Sequence, residues 1–330
     1  MICLFLLSGE NTKFALAEVK AQFKVKNAKL DDRVLIAEIL DFEGKKTNNL
    51  AYTHRVYEFL FISDTKDLLN KLKTYDFTTI YKKDFVARII QTGSTTTKYT
   101  EKQLGSIIWR NLTAANIHPK VNLENPATQI DFIFVKNKVY CGRLVNKIHH
   151  DFEQRKAHKR KVIHPSSLHP KLARGMVNLL GIDRNNENTV ICDPFVGTAG
   201  ILIEAGLLGY KTLGFDINKW MVKAATDNLK SYKIINYKII NTDALNIKNY
   251  KNIQYIAADL PYSINTKEVD IVKLYSEFLA LLKKIKVKRA VLGFPHFTNY
   301  KNLNYKTLIK KNKLNLISEF KFYLHKNLSK

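Results

Sequence analysis

The sequence predicts an α/β protein built in two styles, an α+β front portion followed by a mostly parallel sheet with helices on both faces. Three observations carry that expectation. From about residue 164, apolar strand-like runs alternate with helical stretches, the order that builds a parallel sheet. Before that point the strands come in local hairpins around isolated helices. Several later strands end on an aspartate, at Asp193, Asp216 and Asp259, with Asp243 just past another strand end. An open α/β sheet binds its ligands at those carboxyl ends.

At 330 residues the chain is long enough for several domains. Residues 1–50 form a first unit, with strands at 2–7 and 34–39 around a helix at 12–22. Residues 51–148 form a second, with strands at 60–62, 85–90, 132–135 and 139–145 and a helix at 101–117. In that helix Leu104, Ile107, Ile108 and Leu112 recur at helical spacing, and Asn137-Lys138 reads as a hairpin turn. Residues 149–163 read as a polar linker, with Arg155, Lys156, Lys159, Arg160 and Lys161 beside His149, His150 and His158. Such a run is either a solvated face or a hinge touching phosphates. Residues 164–330 hold the alternating region, with strands at 189–192, 212–215, 237–241, 253–257, 290–293 and 320–324 and helices at 201–208 and 221–231.

A hydrophobic content of 45% supports real cores. A net charge of +25 implies a polyanionic partner, although the preference for Lys over Arg shows that compositional bias contributes. Cys3, Cys141 and Cys192 lie far apart, so neither a metal site nor a disulfide framework is expected. Free thiols suit a reducing cytosol and a cytoplasmic protein. The apolar start at 1–7 is short and reads as a strand. No apolar run approaches the roughly 18 residues of a membrane span.

The chemistry concentrates in the alternating region. Thr189-Val-Ile-Cys-Asp-Pro-Phe-Val-Gly-Thr-Ala-Gly200 is a strand that runs into Asp193, then a tight glycine turn, then a helix. Small residues let backbone approach a ligand closely. A dinucleotide site would carry GxGxxG, and only GxxG is present, which argues against NAD or FAD. An acidic residue beside the turn suits a zwitterion such as the amino acid end of S-adenosyl-L-methionine. Phe195, Gly197 and Thr198 of the turn join Asp193 in the cofactor-binding set. Asp216, in Gly214-Phe-Asp-Ile-Asn218, is placed to accept two ribose hydroxyls, the alternative being a helix cap. Asp243 is placed for an adenine amino group, the alternative again being a turn or cap.

Asp259-Leu-Pro-Tyr262 is the most informative segment. An exocyclic amine on a nucleobase is a poor nucleophile, because its lone pair is conjugated into the ring. A catalyst must hold it near the methyl donor and accept its hydrogen bonds. Asp259 supplies an acceptor and a destination for the proton. Pro261 rigidifies a turn that aims a neighbouring carbonyl, and Tyr262 offers a face on which the base stacks. Upstream, the His164–Arg174 stretch is a loop with two prolines leading into a helix, placed either to cap the methionine end of the cofactor or to order the site, and its isolated histidines read as structural.

Together these residues resemble the archaeal and eukaryotic tRNA guanine-10 N2-methyltransferases. The resemblance rests on Ser167-Leu-His-Pro-Lys-Leu-Ala-Arg174, Asp193 through Ala205, Gly214-Phe-Asp-Ile217, Asp259-Leu-Pro-Tyr262 and Tyr323-Leu-His-Lys-Asn-Leu328. Ala51 through Leu60 and Val121 through Pro126 carry it into the front portion, which looks like that family's ferredoxin-like unit and THUMP domain. The resemblance implies a Rossmann-like methyltransferase domain at 164–330 and S-adenosyl-L-methionine as cofactor. It implies tRNA as partner, held at its 3′ end by the THUMP region, with a flipped-out guanosine as target. It leaves open one methyl or two, the oligomeric state and the need for a small activating subunit.

Two positions depart from the family pattern. Leu260 stands where Asp-Pro-Pro-Tyr has its first proline, which is expected to loosen the turn. Ala199 stands at a usual glycine, which is harmless unless φ is positive there. The competing readings are methylation of another tRNA or rRNA position, methylation of DNA, a noncatalytic RNA-binding protein with a relic cofactor fold, and an NAD oxidoreductase.

Overall fold

The structure, a computed structural model, describes the chain except residues 166, 184–188, 262–270, 296–303, 326–327 and 330. It divides into two units, Met1–Asn48 with Tyr52–His149, and Asn49–Ala51 with His150–Lys330.

In the first unit the apolar opening forms β1 (Ile2–Leu7), buried beyond its first residue. After it come α1 (Thr12–Gln22), β2 (Val25–Asp31), β3 (Val34–Ile39), β4 (Thr53–Asp64), α2 (Leu68–Thr74), β5 (Phe85–Gln91), α3 (Glu101–Ala114), β6 (Thr128–Val135) and β7 (Lys138–Lys147). They build one seven-stranded sheet in the order β2-β3-β1-β4-β7-β6-β5. Residues 1–50 and 51–148 therefore share a single sheet, with β1 paired to β3 on one side and β4 on the other. Thr100 caps α3 by accepting the Gln103 amide at 3.2 Å. The helix buries Leu104, Ile108 and Leu112 in one core with Phe85, Phe132 and Phe134. The hairpin between β6 and β7 turns on Lys136 and Asn137, one residue earlier than expected, with Lys136 at φ 51°.

The second unit holds α4 (Pro170–Leu179), β8 (Val190–Asp193), α5 (Gly200–Leu207), β9 (Lys211–Asp216), α6 (Lys219–Ser231), β10 (Tyr237–Asn241), β11 (Tyr255–Asp259), α7 (Ile271–Lys284), β12 (Arg289–Gly293), α8 (Tyr305–Lys311), β13 (Tyr323–His325) and β14 (Leu328–Ser329). Five strands lie parallel in the order β10-β9-β8-β11-β12. The chain builds outward from β8 through β9 to β10, then returns to place β11 on the other flank of β8. That reversal is the topological switch point of a doubly wound Rossmann-like sheet. Phe215, Ile256 and Leu260 share a core with Tyr275, Phe278 and Leu282 of α7. The strand expected at 320–324 is not part of this sheet, because β13 pairs antiparallel with β14 in a separate two-stranded element.

The segment read as a polar linker is packed into this unit. Phe152 is buried, and Arg155 Nε donates to Glu204 Oε1 at 2.7 Å. Glu204 lies on α5 with no exposed side-chain surface and also takes Arg174 of α4, with Nη2 at 2.8 Å from Oε2. Arg160 is buried too, its Nε donating to the Arg155 carbonyl at 3.0 Å. Arg160, expected to meet solvent or phosphate, is thus internal and bonded to backbone carbonyls, while the largely buried Arg155 compensates the buried carboxylate on α5. Glu204→Gln leaves both guanidinium groups without their counter-charge. It is expected to cost about 3–5 kcal/mol in urea denaturation of this unit.

Candidate active site

The ladder between β8 and β11 is short. It pairs Tyr255 with Ile191 and Ile256 with Cys192 and then ends. By contrast β11 stays paired with β12 along its whole length to Asp259. Beyond Cys192 the neighbours β8 and β11 therefore open, with Asp193 on one lip and Asp259 on the other. This is the crevice at the carboxyl ends of the strands where a doubly wound sheet binds ligands.

Asp193 is 2% exposed, and its Oδ1 accepts the Phe195 amide at 3.1 Å. Burial holds its carboxyl well above the ordinary carboxylate range, the Phe195 amide opposes that, and the charges of Asp259 and Asp216 add to it. Asp216 closes β9. Its Oδ2 accepts the Gly197 amide at 3.0 Å and its Oδ1 the Asn218 amide at 2.9 Å. Burial raises its pKa as well, against the pull of the Asn218 and Gly197 amides. Asp216 is not the cap of α6, since Asn218 fills that role through the Trp220 amide at 2.8 Å. The sequence set a ribose role against a cap for Asp216, and the helix cap is thus filled by another residue. Asp243 does cap, accepting the Leu245 amide at 2.7 Å at the start of a short 3-10 turn.

The glycine turn is held from several sides. Gly197 adopts φ 48°, with open space where a side chain would stand. Thr198 Oγ1 lies 2.8 Å from Ser167 Oγ of the entry loop. Asn228 of α6 donates to the carbonyls of Thr198 and Val162, both at 3.1 Å, and accepts the Val162 amide at 2.8 Å. His169 caps α4 through the Lys171 amide, a structural role. Ala199, just before α5, has φ 67° and ψ 29°, so this departure from glycine sits in the left-handed region after all.

The other departure behaves differently from its expectation. Leu260 is 1% exposed in the core below the sheet, and its amide donates to the Gly293 carbonyl at 3.0 Å. A proline there would lack that donor, so Leu260 anchors the turn. Gly293 matters for a second reason, since a Cβ there would stand 2.8 Å from Asp259 Oδ1. Pro261 is exposed, and its carbonyl accepts a hydrogen bond of 2.6 Å from the Tyr275 hydroxyl. Tyr262 lies outside the described residues. Asn228, Gly293 and Tyr275 carried no motif signal. A lone Gly closing the last parallel strand beside an acidic strand end was the one hint available. Among the described residues no cluster of three or more metal-binding side chains occurs, and no helix is long and apolar enough to cross a membrane.

A doubly wound parallel sheet with an acidic crevice at its switch point defines a class of cofactor-binding α/β enzymes, and residues 157–323 match the family described as RMKL-like, methyltransferase domain. The chain is 35% identical over 236 residues to the tRNA (guanine(10)-N2)-dimethyltransferase of Methanothermobacter thermautotrophicus, covering 70% of this chain and 67% of that one. It is 33% identical over 299 residues to the enzyme of that name from Pyrococcus abyssi, covering 86% and 85%. The like-named Methanocaldococcus jannaschii protein is 28% identical, covering 84% and 88%. The chain belongs to this family of methyltransferases, which use S-adenosyl-L-methionine as methyl donor.

Two predictions follow from strain and burial. An L-residue in the left-handed region costs about 1–2 kcal/mol, offset in part by the chain entropy glycine would bring. Ala199→Gly is therefore expected to stabilise the protein by about 1 kcal/mol, or roughly 2–4 °C in thermal melts. Asp193 keeps its proton in the folded chain at pH values where the unfolded chain has released it. Its contribution to stability is then full below about pH 4 and falls as pH rises through the folded value. Asp193→Asn retains the acceptor for Phe195 and cannot ionise. Without cofactor it is expected to melt higher than wild type at neutral pH, with the gain fading toward pH 4, while cofactor affinity measured by calorimetry falls.

Proposed function

We propose that the chain transfers two methyl groups from S-adenosyl-L-methionine to the exocyclic N2 of guanosine 10 in tRNA. The observation that carries this reading is the meeting of Asp193 and Asp259 where β8 and β11 part, in a chain that aligns with most of the length of its tRNA-modifying relatives.

The residues present fit the cofactor. Gly197 leaves open space above the turn, Asp216 offers carboxylate oxygens to ribose hydroxyls, and Ile217 beside it is 73% exposed, an apolar face for a purine. Asp193, Phe195, Gly197 and Thr198 form the wall toward the amino acid end. Asp243 spends Oδ1 on its cap and leaves its second oxygen for the adenine amino group. When bound, the cofactor supplies an electrophilic methyl on a sulfonium.

Asp259 accepts an N–H of the guanine amino group and orients the nitrogen lone pair. Asp259 would also accept the proton that the amino nitrogen gives up on methylation. Pro261 shapes the turn beneath the base, and Tyr262 stacks on it. The guanine must leave its pair at a cost of a few kcal/mol. Binding by the first unit, the ferredoxin-like and THUMP-like part of residues 1–148, supplies that energy, helped by the chain's net charge of +25. A tRNA substrate is compatible with the cytoplasmic location that the free thiols suit.

The test is transfer of labelled methyl to unmodified tRNA transcripts, with the product nucleoside identified by mass spectrometry and mapped. N2,N2-dimethylguanosine at position 10 is expected, and label on another base would replace the assignment. Asp259→Ala is expected to reduce turnover at least about 100-fold while tRNA affinity is kept; retained turnover would remove Asp259 from catalysis.

A further inference from the structure

The Asp259–Pro261 segment is held at two points. On its strand side the Leu260 amide donates to the Gly293 carbonyl at 3.0 Å. On its far side the Pro261 carbonyl takes the Tyr275 hydroxyl at 2.6 Å. Pro261 has no N–H, so its own peptide nitrogen anchors nothing. The direction of its carbonyl then depends on a donor from elsewhere.

Tyr275 is suited to be that donor. It stands on the second turn of α7, fully buried in the core that also holds Leu260. Its ring packs edge-on against Phe294, with centroids 5.4 Å apart at 87°, and Phe294 stacks on Tyr305 of α8. Phe294 directly follows Gly293, whose missing side chain gives Asp259 its room. A ring packed this way holds its oxygen in place, and a buried hydroxyl does not readily give up a hydrogen bond. The carbonyl oxygen, with two lone pairs, keeps one for other use.

We propose that Tyr275 is a positioning residue for methyl transfer. Its hydroxyl fixes the Pro261 carbonyl and so sets the angle at which the Asp259 carboxylate and that carbonyl meet the acceptor amine. This rests on the reading of the segment as the site of the acceptor base. Tyr275 touches neither base nor cofactor in this role. Its effect falls on kcat, because misplacement by about 1 Å costs on the order of 100-fold in rate.

The test uses the full chain with Tyr275→Phe, which removes one oxygen and keeps the ring. Expected are a kcat reduced roughly 10- to 100-fold, KM for tRNA and cofactor affinity within about twofold of wild type, and faster amide hydrogen exchange at Leu260. Phe294→Leu serves as the control for packing. It loosens the same aromatic cluster without touching the hydroxyl, and is expected to lower the melting temperature more than Tyr275→Phe while retaining more of kcat. Unchanged kcat and unchanged exchange in Tyr275→Phe would overturn the proposal. So would an equal loss of kcat in the two variants, which would reduce Tyr275 to packing. If the wild-type chain methylated no tRNA, the proposed function would fail by itself, and the exchange at Leu260 would still decide whether Tyr275 holds the segment.

Discussion

The catalytic unit depends on a ladder that stops early. Strands β8 and β11 are neighbours only because the chain reverses direction after β10, and they share only two residue pairs before parting. Had the pairing run on, the ends of the strands would be satisfied by each other. Because it stops, Asp193 and Asp259 stand on facing lips within electrostatic reach, and Asp216 completes an acidic rim. Such an arrangement is costly to fold. The pKa values of Asp193 and Asp216 are raised accordingly, since each group resists ionising where it is buried. A cationic ligand removes the cost, so binding and stability are coupled at this crevice.

The frame around the crevice is correspondingly rigid. Asp216 reaches across from β9 to the Gly197 amide, so a carboxylate at a strand end shapes the glycine turn. Asn228 bonds the entry loop and the glycine turn to the same α6 side chain. Behind α5, Glu204 gathers Arg155 and Arg174 from two other segments. A buried ion triad of this kind does little for net stability, but removing one member leaves charge uncompensated, which ties its three segments together. The left-handed Ala199 is strained within this frame, and the surrounding bonds hold it there.

Much of this was legible in the sequence. β1, α1, β3, β10 and β12 fall on or within a residue of their expected positions, because their apolar runs are clean and bounded by turns. Other elements were hidden for identifiable reasons. β4 runs for 12 residues, yet only 60–62 stood out, since its register shifts twice and breaks the alternation. β2 is a largely exposed edge strand in which Lys26, Asn27 and Lys29 break up the apolar pattern that would reveal it. The basic run at 149–163 reads as a solvated face or a phosphate-touching hinge, because the counter-charge of its Arg155, Glu204, sits some 50 residues away in sequence. The acidic strand ends declared themselves by position. Tyr275 and Gly293 did not, because a core tyrosine and a strand glycine look alike whether or not they brace a loop.

Leu260 shows how a departure from a family pattern can be compensated. A proline before Pro261 would stiffen the turn by fixing φ and would remove one donor. Leucine leaves the backbone freer, and the chain recovers the lost stiffness in two ways. The amide that proline would lack is spent on Gly293, and the side chain is buried among the residues of α7. A proline at 260 would have to forgo that hydrogen bond, worth about 1 kcal/mol. Local backbone rigidity has thus been exchanged for tertiary attachment to β12 and α7. The consequence is that the geometry of the Asp259 segment in this chain depends on the core beneath it, and substitutions in that core act on the site without touching it.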